Sequence, residues 1–99
     1  MAVQRTRARK ELRAEAEQRA RQLLQSLQPR RIVINKNSIV AEESRIADEL
    51  DGVYAERVIY LEGGWYVVIR HYTAVRRLGK YVQEDYVEEY VRHGCGCTG

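Results

Sequence analysis

Residues 53–73 read VYAERVIYLEGGWYVVIRHYT, two runs of β-branched and aromatic residues flanking Gly63 and Gly64. A Gly-Gly pair between such runs signals a hairpin, because a two-residue type I′ turn needs positive φ at both central positions. On that turn Glu62 faces Trp65, Tyr60 faces Val67, Val58 faces Ile69 and Glu56 faces His71, all on one side of the ribbon. The other side pairs Leu61 with Tyr66, Ile59 with Val68, Arg57 with Arg70 and Ala55 with Tyr72. The first side, with Trp65, Tyr60, Val58, Val67 and Ile69, reads as the core face. The second sets two arginines opposite each other, which is unfavourable unless an anion lies over them. Everything here depends on turn length, since a one-residue slip moves a strand's side chains to the other face. The spacing of six between Tyr54, Tyr60, Tyr66 and Tyr72 has no meaning in this register, because the two pairs fall on opposite faces.

Towards the N-terminus, residues 4–28 are strong helix formers apart from Thr6 and Ser26. Leu12, Ala16, Ala20, Leu23 and Leu27 form one apolar stripe. Arg5, Arg9 and Arg13 share its azimuth, so only the C-terminal half of the helix offers an apolar face and the first turns project. Pro29 stops the helix. Residues 31–35, RIVIN, read as a short strand and 35–37 as a turn. Ser38 can cap a second helix over residues 39–50, with Gly52 in a left-handed C-terminal position. The rival reading makes 38–41 a strand. Beyond Thr73, the positions Val75, Leu78, Val82, Tyr86 and Tyr90 follow a helical spacing, best defined over residues 82–92 and ended by Gly94.

The expected fold is therefore α+β, a single small domain of order α-β-α-β-β-α. Its helices pack on one face of a small, mainly antiparallel sheet, and a basic N-terminal helix projects from it. The divisions are a basic arm over 1–11, the domain over 12–93 and a cysteine-containing tail over 94–99. Ninety-nine residues suit one domain with a modest core. No apolar run reaches the length of a membrane span and no signal-peptide core follows the N-terminus, so a cytoplasmic location without membrane partner is expected. Two cysteines near the C-terminus cannot staple the fold.

Net charge is +3, but unevenly placed. Residues 1–31 hold nine Arg and Lys against three Glu; residues 32–99 hold eight against eleven acids. Arg5, Arg7, Arg9, Lys10 and Arg13 make a dense basic helix suited to phosphate contact. The second candidate is the mixed sheet face, with Arg57, Arg70, Tyr66 and Tyr72 available to stack on bases. The same face could instead bury against a protein partner or a second copy, with arginine stems snorkelling outwards. His93, Cys95 and Cys97 are the residues that could ligate a metal, with His71 the only other histidine; three soft ligands do not close a zinc site, and no cofactor is expected. Glu56 opposite His71 is the one acid/base pairing, and it reads as an edge-of-core pair. Phosphate loops, nuclease patterns and nucleophile elbows are absent from the sequence. These features point to a non-catalytic nucleic-acid-binding protein, RNA favoured over DNA, acting as a subunit of a ribonucleoprotein assembly. The alternative is a protein-interaction or homo-oligomerisation module.

Overall fold

A computed structural model describes residues 9–94. One helix, α1 (Arg9–Leu24), precedes four strands: β1 (Ile39–Glu49), β2 (Gly52–Leu61), β3 (Trp65–Arg77) and β4 (Lys80–His93). They form one antiparallel sheet in the order β1-β2-β3-β4, so every strand pairs with its neighbour in the chain. The class is α+β, with α1 packed on one face of the sheet.

The expected order α-β-α-β-β-α does not hold. The second helix is strand β1, and the third is the end of β3 together with β4. Residues 31–35 lie outside any strand. They run along the helix side of the sheet as an irregular segment, Ile32 and Ile34 packing on the core, followed by one 3-10 turn at Lys36–Ser38. That segment is held by Glu89 of β4, whose carboxylate accepts the backbone N–H groups of Arg30, Arg31 and Ile32, each at 2.9 Å. Gly52 opens β2 instead of ending a helix, and Gly94 follows a strand.

The central hairpin is where expected, but its turn is one residue longer. Glu62–Gly64 forms a three-residue connection in which Gly63 and Gly64 both hold φ of 83°. Tyr60 therefore pairs with Tyr66, Val58 with Val68, Glu56 with Arg70 and Ala55 with His71. This slip moves one strand's side chains to the other face relative to its partner. Arg57 and Arg70 no longer face each other, and Glu56 and His71 lie on opposite faces. Tyr54, Tyr60, Tyr66 and Tyr72 now share one face. Tyr60 and Val58 leave the expected core face, whereas Ile59, Leu61 and Ala55 join Val67 and Ile69 beneath the helix. Trp65, expected in the core, is 48% exposed and meets His93 edge-on, ring centroids 4.6 Å apart.

Helix α1 packs through the stripe read from the sequence. Ala16, Ala20 and Leu27, just beyond the helix, are buried and Leu24 packs beside them. The two alanines let the helix approach Ala55, Ile69, Val53 and Ala74 closely. A bulge in β3 turns both Thr73 and Ala74 towards α1. The Thr73 hydroxyl lies 3.0 Å from the Ala16 carbonyl and 3.1 Å from that of Val53, sharing its proton between them. A buried hydroxyl is thereby satisfied where the helix crosses the sheet. Among the described residues no helix is long and apolar enough to cross a membrane.

Candidate interaction surfaces

Among the described residues, the face of the sheet opposite α1 carries no second layer. Away from the β3 bulge, alternation along the strands and the observed registers array most of its side chains in four rows. Ala47, Tyr54, Tyr72 and Tyr86 form the first, and Arg45, Glu56, Arg70 and Glu88 the second. Glu43, Val58, Val68 and Tyr90 form the third, and Ala41, Tyr60, Tyr66 and Arg92 the fourth. Six of the seven tyrosines stand here, and only Tyr81 lies on the helix side.

The rings pack on one another. Tyr72 stacks on Tyr86 at 4.5 Å between centroids, Tyr54 lies 4.8 Å from Tyr72, and Tyr60 lies 6.0 Å from Tyr66. Arg70 sits over the Tyr54 ring at 4.8 Å and Arg92 over Tyr90 at 4.9 Å, both within cation–π range. Burial pushes the Tyr54 hydroxyl up to about 12. At the centre, Glu56 is only 6% exposed, yet both its oxygens are bonded: Arg45 Nε donates at 2.6 Å and Arg70 Nε at 2.8 Å. Burial pushes this carboxyl up, but the two guanidinium groups outweigh burial and hold it below the ordinary value. Within these four rows three arginines balance three glutamates.

The second surface is basic. Lys10 is exposed on α1, and Arg5 and Arg7 lie outside the described residues; Arg9 begins the helix. Arg13 turns inward. It pairs with Asp48 of β1 and covers the Tyr81 ring at 5.4 Å. Contact between α1 and the sheet therefore extends to Arg13. The shared hydrogen between Glu17 and Asp48 raises the Glu17 carboxyl beside them.

The expected nucleic-acid contacts on the sheet are divided between its faces. Arg70, Tyr66 and Tyr72 share the open face. Arg57 lies on the helix side, where Nη1 donates to the Leu27 carbonyl at 2.7 Å and Nε to Glu42 at 3.1 Å. It borders a groove of about 640 Å³ floored by Ile32, Ile34, Ile39 and Ile59. His93 Nε2 donates to the Gly63 carbonyl at 2.8 Å, fastening the end of β4 to the hairpin turn. Cys95 and Cys97 lie outside the described residues, and among those described no cluster of three metal-ligating side chains occurs. His71 lies 3.4 Å from Asp85, which also accepts from Arg19 at 2.7 Å.

Sequence reasoning missed Arg45, Glu56, Glu88 and Arg92 as one surface, together with Tyr86 and Tyr90. The available signal was the six-residue spacing of the tyrosines, which is even and so keeps one face of a strand. Comparison with models of known families, with characterised proteins and with solved structures found no match for this chain.

Proposed function

We propose that this is a non-catalytic nucleic-acid-binding protein, with RNA the favoured ligand, which grips phosphates through its basic N-terminal helix. Charge placement carries this reading. Arg13, Arg19, Arg45, Arg57, Arg70 and Arg77 each meet a carboxylate within the fold. Cations already paired in this way have little to offer a phosphate. The excess positive charge of the chain lies in residues 1–31, ahead of, along and just after α1. Counterion release from the nucleic acid then supplies most of the affinity. A subunit role in a cytoplasmic ribonucleoprotein belongs to the same reading. We leave Arg57 and Arg70 out of the proposed interface, because each already pairs with a carboxylate, Glu42 and Glu56 respectively.

The experiment is a salt titration of binding to single-stranded and duplex RNA. Replacing Arg5, Arg7, Arg9 and Lys10 by Gln should reduce the log–log slope against salt by about three units, given about 0.7–0.9 per phosphate contact. Affinity should fall similarly for unrelated sequences. Arg70→Gln should leave the slope intact. An unaltered slope in the fourfold variant would remove the helix from the interface and this function with it.

A further inference from the structure

We propose that the open sheet face is the interface of a two-fold symmetric dimer, formed by stacking the sheets of two copies face to face. The reading is independent of nucleic-acid binding. It follows from the order of side chains along the rows. In a dimer of this kind, a two-fold axis parallel to the strands sets β1 over the partner's β4 and β2 over its β3. Each row then meets its own reversal.

The charged row Arg45, Glu56, Arg70, Glu88 alternates in sign, so its reversal sets Arg45 over Glu88 and Glu56 over Arg70. Every charge of this row meets its opposite, so the two copies of the row set no like charges against each other. The tyrosine row sets small Ala47 over Tyr86 and Tyr54 over Tyr72. In the third row Val58 lies over Val68, and in the fourth Ala41 lies under Arg92 while Tyr60 meets Tyr66. Small residues on β1 thus oppose large ones on β4 in two rows out of four. Aligned sheets cross at about 30°, which displaces the edge pairs by roughly one residue step, within reach of Arg and Glu side chains. Burying Glu56 under a partner leaves no unpaired charge, since Arg45 and Arg70 already occupy both oxygens. Four strands about 4.8 Å apart and six steps of about 3.4 Å, with side-chain overhang, cover roughly 500 Å² per copy. The total of about 1,000 Å² reaches the lower bound for a specific interface. Tyrosine and arginine are also the residues most enriched at such contacts.

This arrangement has a geometric consequence. Ala16 packs on Val53 and Ala74, whereas Leu27 packs towards Ile59 and Val67, so the N-terminus of α1 lies at the Gly52 end of the sheet. Rotation about an axis along the strands keeps that end common, so the N-termini of both α1 helices lie on the same side of the dimer.

Sedimentation equilibrium of the full chain, in reductant and free of nucleic acid, tests the proposal. The expected mass is twice the chain mass of 11.6 kDa. Ala41→Arg, which sets a cation under the partner's position 92, and Tyr86→Lys should each weaken association at least tenfold with unchanged circular dichroism. Isotope-filtered NMR on mixed labelled and unlabelled protein gives a second reading that needs no variant. Ala47 and Tyr86 sit three strands apart in one copy, roughly 14 Å. A contact between the Ala47 methyl and the Tyr86 ring therefore arises only across copies. A monomer at high concentration, a dimer indifferent to both substitutions, or a dimer lacking the Ala47–Tyr86 contact would each overturn the interface.

Discussion

Leu78 holds φ of 53° at the tip of the β3–β4 hairpin, beside Gly79 at 79°. Two successive positive φ values make a type I′ turn, which matches the twist of the flanking strands. For leucine the left-handed conformation costs about 1 kcal/mol, through the clash of Cβ with the following carbonyl. Nothing offsets that cost by packing, because the side chain is fully exposed. Leu78→Asn should therefore stabilise the protein by about 0.5–1 kcal/mol and raise the thermal midpoint by a few degrees, measured by calorimetry. A lower midpoint would mean that Leu78 contacts a partner. Trp65 teaches the complementary lesson. Its size suggests a core anchor, yet at the start of β3 it lies half-exposed beside the hairpin turn, packed against His93.

At the scale of elements, β1 and β4 carry helix-like patterns in the sequence, and the reason is arithmetic. Val82, Tyr86 and Tyr90 recur every four residues, which is close to the helical repeat and also a multiple of the strand repeat. Composition should have decided between them, since Tyr-Val pairs recur at 81–82, 86–87 and 90–91 and both residues favour strands. In β1 the conflict is sharper. IVAEESRIADE contains good helix formers, and as an edge strand it buries only Ala47. Pairing with β2 overrides its propensity. The junction of β2 and β3 makes a testable point at this scale. A Cβ added at Gly52 would stand 2.5 Å from the Ala74 carbonyl oxygen, in the backbone of the bulged strand. Gly52→Ala should cost about 1–3 kcal/mol or more in a urea titration, because backbone must move to admit the methyl group. A loss below about 0.5 kcal/mol would show that the bulge is pliable.

For the whole molecule, stability should depend on pH through its clamped carboxylates. Burial alone would raise Glu89, but the three N–H groups of residues 30–32 hold it below the ordinary value. Glu56 is lowered similarly by Arg45 and Arg70. A carboxyl with a lowered folded value contributes stability that is present above its unfolded value and lost as pH falls through the folded one. Glu17, raised by Asp48, acts in the opposite direction. Three lowered carboxyls, Glu56, Glu89 and the Arg77-paired Glu84, against one raised group predict a thermal midpoint that is steady near neutrality and falls below about pH 4.5. Glu89→Gln should lower the midpoint at pH 7 and flatten the acid decline. A midpoint constant down to about pH 3 would contradict the clamping of both groups.

Local chemistry by itself determined the helix stripe of Ala16, Ala20 and Leu27, the hairpin about Gly63 and Gly64, the α+β class and the concentration of cations in residues 1–31. Each rests on neighbours in sequence: a repeat of 3.6, a glycine pair admitting positive φ, a composition. Tertiary structure alone decided the rest. Whether the turn holds two residues or three depends on which register buries more apolar surface under α1. That choice put Ile59 and Ala55 beneath the helix, set Glu56 between two arginines and gathered the tyrosines on one open face. Strands β1 and β4 exist because each pairs along its length with the strand next to it in the chain. A strand's identity lies in its neighbour, and the sequence of one strand does not contain the other.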